Sequence, residues 1–432
     1  MKLCELKNLV SSGKLDASFA SCGVGDNDIL SYRERVMKAA DSFASLYDKA
    51  GERDVALLSV GGRSEISGNH TDHNHGKVIA GAISLDVIAI AAKTDDGVIR
   101  VKSEGFPEDV VPGSAADAPD EAAYFKSSAI IAGMEHAFSE HGYEVGGFDA
   151  YTTSAVLKGS GMSSSAAFEV MIGNILNSLY NGGSVPNTEI AKMAQYAENV
   201  YFGKPCGLMD QMACAVGGLI TIDFADPAKP VIEKLDFDLT SAGYALCIVD
   251  TGGNHADLNE DYASVPAEMK SVAALLGKTY LRETTAGEII AHAAEIRKSC
   301  GDRALLRALH FHGENARVDR QVGALKAGNV AAFLEGVRQS GNSSFRFLQN
   351  VYTTKNVAEQ GLSVALCLTE QFLSGVTEPS ACRVHGGGFA GTVQVFLPAK
   401  NADEYKKYIE SVFGGGSCYI LLIRPAGAVR LA

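Results

Sequence analysis

The sequence predicts an α+β, or mixed α/β, protein of two domains, and three observations carry that reading. Its 432 residues exceed what one ordinary core organises and suggest two domains of roughly 200 residues each. Strand-like and helix-like apolar patterns alternate in both halves. A composition 46% hydrophobic and 21% charged supplies a large core without help from disulfides or metal.

Residues 1 to about 50 predict helices, with apolar spacing through Val36, Ala39, Ala40, Phe43 and Leu46. From Val55 the pattern shifts to β-rich runs: ALLSV, then VIAGAISLDVIAIAAK, then VIRVK after the Asp95-Asp96-Gly97 turn. An apolar helix over 166–180 follows a Gly/Ser loop, and LITIDF (219–224) is a further strand. The stretch Ala225 to Pro230, ADPAKP, approaches a domain boundary, giving domains over 1–235 and 236–432. YALCIVD (244–250) opens the second unit. A long helical region follows, then TVQVFLP (392–398), a helix near 403–412 and CYILLIRP (418–425).

The formal charge of −13 argues against a broad nucleic-acid surface, which needs clustered Lys and Arg. It leaves room for a nucleotide, whose phosphates a few backbone N–H groups can hold. Nine cysteines are scattered from Cys4 to Cys418 without CxxC spacing, which points to thiols in a reducing compartment. The first twenty residues lack a signal-peptide apolar region. The most apolar stretch, Val78 to Ala92, is broken by Ser84 and Asp86 and is too short to span a bilayer. A cytoplasmic protein with no membrane partner is expected, as a monomer or weak homodimer.

Four segments carry chemistry. Gly159-Ser160-Gly161-Met162-Ser163-Ser164-Ser165 precedes the apolar helix. Its glycines let successive N–H groups converge on an anion, and a helix start favours phosphate. The serines can bond a phosphate or ligate Mg²⁺, although a Ser-capped helix after a plain loop fits as well. The loop is neither a Walker A nor a Rossmann fingerprint. Gly61 to Gly76, GGRSEISGNHTDHNHG, places a guanidinium, carboxylates, amides and imidazoles in a turn between two apolar strands. Such a set can meet sugar hydroxyls, and Asp72 suits acceptance from two of them. A metal site from His70, His73, His75 and Asp72, or a polar surface loop, are the competing readings. AENVYFGKPCGLMDQ (197–211) sets Asp210 among apolar and small residues, where a carboxylate is either paired or functional. Arg383 to Thr392 holds four glycines before a strand, either a hairpin turn or a backbone approaching a ligand.

In order and wording these segments resemble the galactokinases, a branch of the GHMP kinase superfamily, from Gly61 to Gly391. The resemblance implies an N-terminal domain of the ribosomal-protein-like GHMP type and a ferredoxin-like C-terminal domain, with the active site between them. It implies ATP-dependent phosphorylation of galactose or a similar sugar at the anomeric hydroxyl. Arg63 and Asp210 would form the catalytic pair, and Asn69, His70, Asp72 and Tyr262 would meet the sugar. Gly159 through Ser165 would hold the ATP phosphates, with Mg²⁺ on Glu198 and either Ser164 or Ser165.

The signature also departs from the family. Gly61, Glu65, Asn69 and His73 stand where Pro, Asn, Glu and Tyr are usual. An amide donates where a carboxylate only accepts, so Asn69 suggests a pocket retuned toward N-acetylgalactosamine or another galactose-like sugar. Two further readings stand beside these: a GHMP kinase for a non-sugar alcohol, and a non-catalytic sugar and ATP sensor.

Overall fold

The computed structural model describes residues 1–113, 119–156, 161–204, 206–253 and 258–432. Gly159 and Ser160 of the glycine-serine loop therefore lie outside the described residues.

Helices α1 (Leu3–Ser11), α2 (Asp16–Ser21) and α3 (Ile29–Tyr47) come first. Strands β1 (Ala56–Ser67), β2 (Lys77–Lys93), β3 (Val98–Ser103) and β4 (Glu108–Pro112) follow. Next are α4 (Ser127–Glu140), β5 (Phe148–Ser154), α5 (Ser164–Tyr180), α6 (Asn187–Tyr196) and α7 (Met209–Val216), then β6 (Leu219–Asp223) and β7 (Val231–Leu235). The rest of the chain gives β8 (Tyr244–Asp250), α8 (Asn259–Leu275), α9 (Ala286–Ala291), α10 (Ala293–Ser299), α11 (Asp302–Lys326) and α12 (Val330–Ser343). It ends with α13 (Gly361–Leu373), β9 (Ala381–His385), β10 (Thr392–Pro398), α14 (Ala402–Phe413), β11 (Cys418–Leu421) and β12 (Val429–Arg430).

The first sheet runs β12-β1-β2-β5-β3-β4, with β6 on the other half of β2 and β7 beyond it. Strand β2 is long because it serves two partners. Lys77 to Gly81 pair with β6, and Val87 to Lys93 pair with β5. Its near-continuous apolar sequence is that of a strand buried on both faces. The second sheet is antiparallel, in the order β11-β8-β10-β9. The charged interruption of β2 has its own use. Asp86 is buried and receives Arg35 Nη2 at 2.7 Å, Tyr32 Oη at 2.6 Å and Arg424 Nη1 at 3.4 Å. This ties α3 and the C-terminal segment to the middle of the sheet. Burial would push that carboxyl up, yet the two guanidiniums hold it below the usual range.

Three expectations change. Gly61 to Ser67 belong to β1 rather than to a turn, because their backbone continues to pair with β2 through two register shifts. Such shifts turn side chains out of strict alternation. The turn proper is 68–76. The stretch 418–425 is strand only to Leu421, after which Arg424 turns into the core. Leu46, on the expected apolar stripe of α3, is exposed. Segment 225–230 forms the turn between antiparallel β6 and β7.

Candidate active site

The central contact joins residues 147 positions apart. Arg63, on β1, reaches Asp210 in the first turn of α7 with Nε on Oδ1 at 2.8 Å and Nη2 on Oδ2 at 2.9 Å. This is the two-pronged geometry that a guanidinium offers a carboxylate. Arg63 Nη1 donates to the carbonyl of Gly161, and its backbone N–H to the carbonyl of Met162 at 3.2 Å. Ser163 Oγ donates to Asp210 Oδ2. Burial would raise the Asp210 pKa, but the Arg63 charge and the bonds from Arg63 and Ser163 outweigh it and keep the carboxyl below its ordinary value. Asp210 is a third exposed and Arg63 only 8%, so the carboxylate is open to solvent while its partner is covered.

Helix α5 begins at this point, two residues earlier than its apolar run suggests. Ser163 stands at its start in a left-handed conformation and turns its hydroxyl to Asp210 rather than capping the helix. The first-turn N–H groups thus keep no side-chain cap, which suits an anion. Ser164 and Ser165 make no side-chain hydrogen bond among the described residues.

Behind this corner lies a second acidic pair. Gln211 Nε2 bridges Glu169 Oε2 (2.9 Å) and Glu198 Oε2 (2.8 Å), and Lys204 Nζ meets Glu198 Oε1 at 2.8 Å. Both carboxylates are buried. Burial, then the Glu198 charge, pushes the Glu169 carboxyl up. Carboxylate and hydroxyl oxygens are the hard donors that Mg²⁺ takes, and Glu198 has one carboxylate oxygen on the Lys204 ammonium and the other on the Gln211 amide. Gln211, Glu169 and Lys204 went unmarked in the sequence. The neighbourhood of Gln211 to Asp210 was the available signal.

Asp72 sits in a short 3₁₀ turn (Asp72–Asn74). Gly207 packs so closely that a Cβ there would overlap the Asp72 carboxylate. Burial, the Asp210 charge and the Glu65 charge raise the Asp72 pKa to about 6. Of the residues expected to meet a sugar, Asp72 has carboxylate oxygens that make no side-chain hydrogen bond among the described residues.

The other three are placed differently. Asn69 is fully buried, and its amide is wholly engaged: Nδ2 on Glu65 Oε1 (3.0 Å) and the Gly386 carbonyl (2.7 Å), Oδ1 receiving Asn350 Nδ2 (2.9 Å) and Ser344 Oγ (3.1 Å). With every donor and acceptor of the amide engaged within the protein, the expected contact between it and a sugar does not fit the geometry. Glu65, in turn, is neutralised by buried Arg383 at 2.7 Å. His70 Nε2 donates to the Gly387 carbonyl at 2.9 Å, which leaves Nδ1 to accept from His73 Nε2 at 3.3 Å. His73 Nδ1 accepts from Asn74 Nδ2 at 3.0 Å. This chain fixes the tautomers of both rings, and burial first of all lowers both pKa values. The metal reading of these histidines loses its donors, since the nitrogens of His70 and His73 are in use. Tyr262 Oη donates to the Gly388 carbonyl at 2.8 Å. The glycine loop after β9 is thus held at three successive carbonyls by Asn69, His70 and Tyr262.

Residues 41–93 match the galactokinase galactose-binding signature, and residues 127–218 match the GHMP kinases N terminal domain. A galactokinase of Streptomyces coelicolor is 32% identical over 401 residues, covering 90% of this chain and 97% of that protein. One from Actinobacillus pleuropneumoniae is 30% identical over 81% of this chain and 86% of its own length. Among solved structures, Lactococcus lactis galactokinase complexed with galactose superimposes with a TM-score of 0.76 at 25% identity, covering 90% of this chain and 98% of that one. L. major mevalonate kinase, at 16% identity and a TM-score of 0.58 over 86% of this chain and 97% of that one, shares the fold. No helix among the described residues is long and apolar enough to cross a membrane. The paired guanidinium and carboxylate at a helix start, the signature turn beside them and these relatives together show that the chain belongs to the galactokinase family of GHMP kinases.

Proposed function

We propose that this protein transfers the γ-phosphoryl group of ATP to the anomeric hydroxyl of galactose, giving the sugar 1-phosphate and ADP. The observation that carries the reading is the two-pronged Arg63–Asp210 pair, joined by Ser163 at the start of α5. Phosphoryl transfer asks a protein mainly for positioning and charge stabilisation. A carboxylate held this acidic is a poor base toward a resting hydroxyl. Asp210 therefore orients the hydroxyl and takes its proton as the new O–P bond forms, when that oxygen becomes acidic. Arg63 has five N–H donors, of which three are engaged. The other two offset charge on the transferring group.

Asp72 accepts from sugar hydroxyls, and His70 and Tyr262 frame the pocket with their rings. Gly159 to Ser165 and the first turn of α5 hold the phosphates. Glu198 with Ser164 or Ser165 would hold Mg²⁺, whose charge would draw the phosphate oxygens into line. The Asn69 amide is engaged within the protein, which removes the reason to expect an N-acetylated substrate from that residue. The same reading divides the chain at 235/236 and places a monomer or weak homodimer in the cytoplasm.

A coupled ADP-release assay over galactose, N-acetylgalactosamine, glucose, arabinose and mevalonate tests it, with ³¹P NMR of the product. The expected result is highest kcat/KM on galactose and phosphate on the anomeric oxygen. ATP binding without ADP release on any substrate would favour the sensor reading instead.

A further inference from the structure

We propose that Asn350 is a positioning residue that sets the width of the sugar pocket; the inference rests on the galactose-kinase reading above. Asn350 follows a π-helical turn (Ser344–Leu348) and a left-handed Gln349 with φ 57°. Single π-turns of this kind often mark functional sites. Its side chain is fully buried, and both amide hydrogens have a target on different parts of the pocket. One goes to Asn69 Oδ1 at 2.9 Å, the other to the Gly387 carbonyl at 3.1 Å. Its own carbonyl accepts the Phe389 N–H at 2.5 Å.

The Gly387 carbonyl is also the acceptor of His70 Nε2–H. Asn350 thus ties the residue before His70 to the carbonyl that orients His70. The signature turn lies on one side and the glycine loop on the other, so the carboxamide holds the distance between them. Its Oδ1 has no partner among the described residues although it is buried. Rotating the amide would point that oxygen at Asn69 Oδ1 and the Gly387 carbonyl, two acceptors. An unpaired buried oxygen is costly, and the structure tolerates it while both donors are in use. A side chain present only to fill space would carry no such atom.

The test compares Asn350→Ala and Asn350→Asp with the unaltered enzyme, reading KM for galactose, KM for ATP, kcat and Tm. Losing the two donors is expected to raise galactose KM about tenfold, with ATP KM nearly unchanged. Asn350→Asp keeps the volume but turns a carboxylate toward two acceptors, so its galactose KM rises further. If the Ala variant does not fold, this near-isosteric variant carries the test. A fall in Tm with galactose KM unmoved, or equal changes in both KM values, would overturn the proposal. An unaltered enzyme that does not turn over galactose would end the underlying reading and this inference with it. Normal turnover with an unchanged galactose KM in the variants would end this inference alone.

Discussion

The two sides of the proposed site are built on different principles. On the proposed transfer side, Arg63 and Ser163 both bond directly to the Asp210 carboxylate. On the proposed sugar side, Asn69, His70 and Tyr262 direct their donors to the carbonyls of Gly386, Gly387 and Gly388. The first side is a short ion pair that few residue types can make. The second is a distributed network with members from β1, the turn after it, α8 and the loop after β9. A transfer centre defined by charge tolerates little substitution, whereas a network can exchange its parts in concert. Glu65 and Asn69 illustrate the point. A carboxylate at 65 is matched by Arg383, and it requires an amide at 69, because a second carboxylate there would face both Glu65 and the Gly386 carbonyl.

Substitution on the two sides separates these designs. Asp210→Asn is expected to lower kcat about a thousandfold while nucleotide affinity, read by calorimetry, stays nearly unchanged. Retained turnover would remove Asp210 from the mechanism. Asn69→Glu, by contrast, places two carboxylates together in a dry setting and should cost about 2–4 kcal/mol in denaturant unfolding. Adding Glu65→Asn, so that acid and amide trade places, should recover part of that loss. Additive losses would show that the two positions are not a unit.

Acid titration distinguishes the sides more gently. The Asp72 pKa is raised to about 6, while that of Asp210 is lowered. Stability follows the shift in the same sense. A raised carboxyl is protonated in the folded chain before the unfolded one, so its burial cost is relieved as pH falls through 6. Its proposed role of accepting from sugar hydroxyls would be lost over that range. Galactose KM should therefore rise about tenfold between pH 7 and pH 5 with kcat little changed. A kcat that falls in parallel would place the titrating group on the transfer side. The smallest expected effect lies at Gly61. A Cβ there would stand 2.7 Å from the Ile83 carbonyl and 2.9 Å from Arg424 Cδ. Gly61→Ala should lower stability by about 1 kcal/mol and leave the kinetics alone.

Much of this was legible in the sequence, for identifiable reasons. The strands of both sheets announce themselves through β-branched runs, and β2 through a long apolar stretch that only a doubly buried strand needs. The transfer side was legible because an arginine after paired glycines, a serine run before an apolar helix and an aspartate among small residues each need an explanation. The residues of the proposed sugar side were marked as well, but not how they bond. That β1 continues through Ser67 depends on pairing with a strand further along the chain. That the Asn69 amide points into the protein depends on Gly386, Asn350 and Ser344, more than 270 positions away. Asn350 itself carries no local signal, since its importance comes from two acceptors that only the fold brings within reach.

The most direct test of the paired transfer centre is a double-mutant cycle on kcat with Arg63→Lys and Asp210→Asn. If guanidinium and carboxylate act as one unit, the double variant will be about as slow as the slower single variant. Rate losses that multiply would show two residues working separately and would contradict the account.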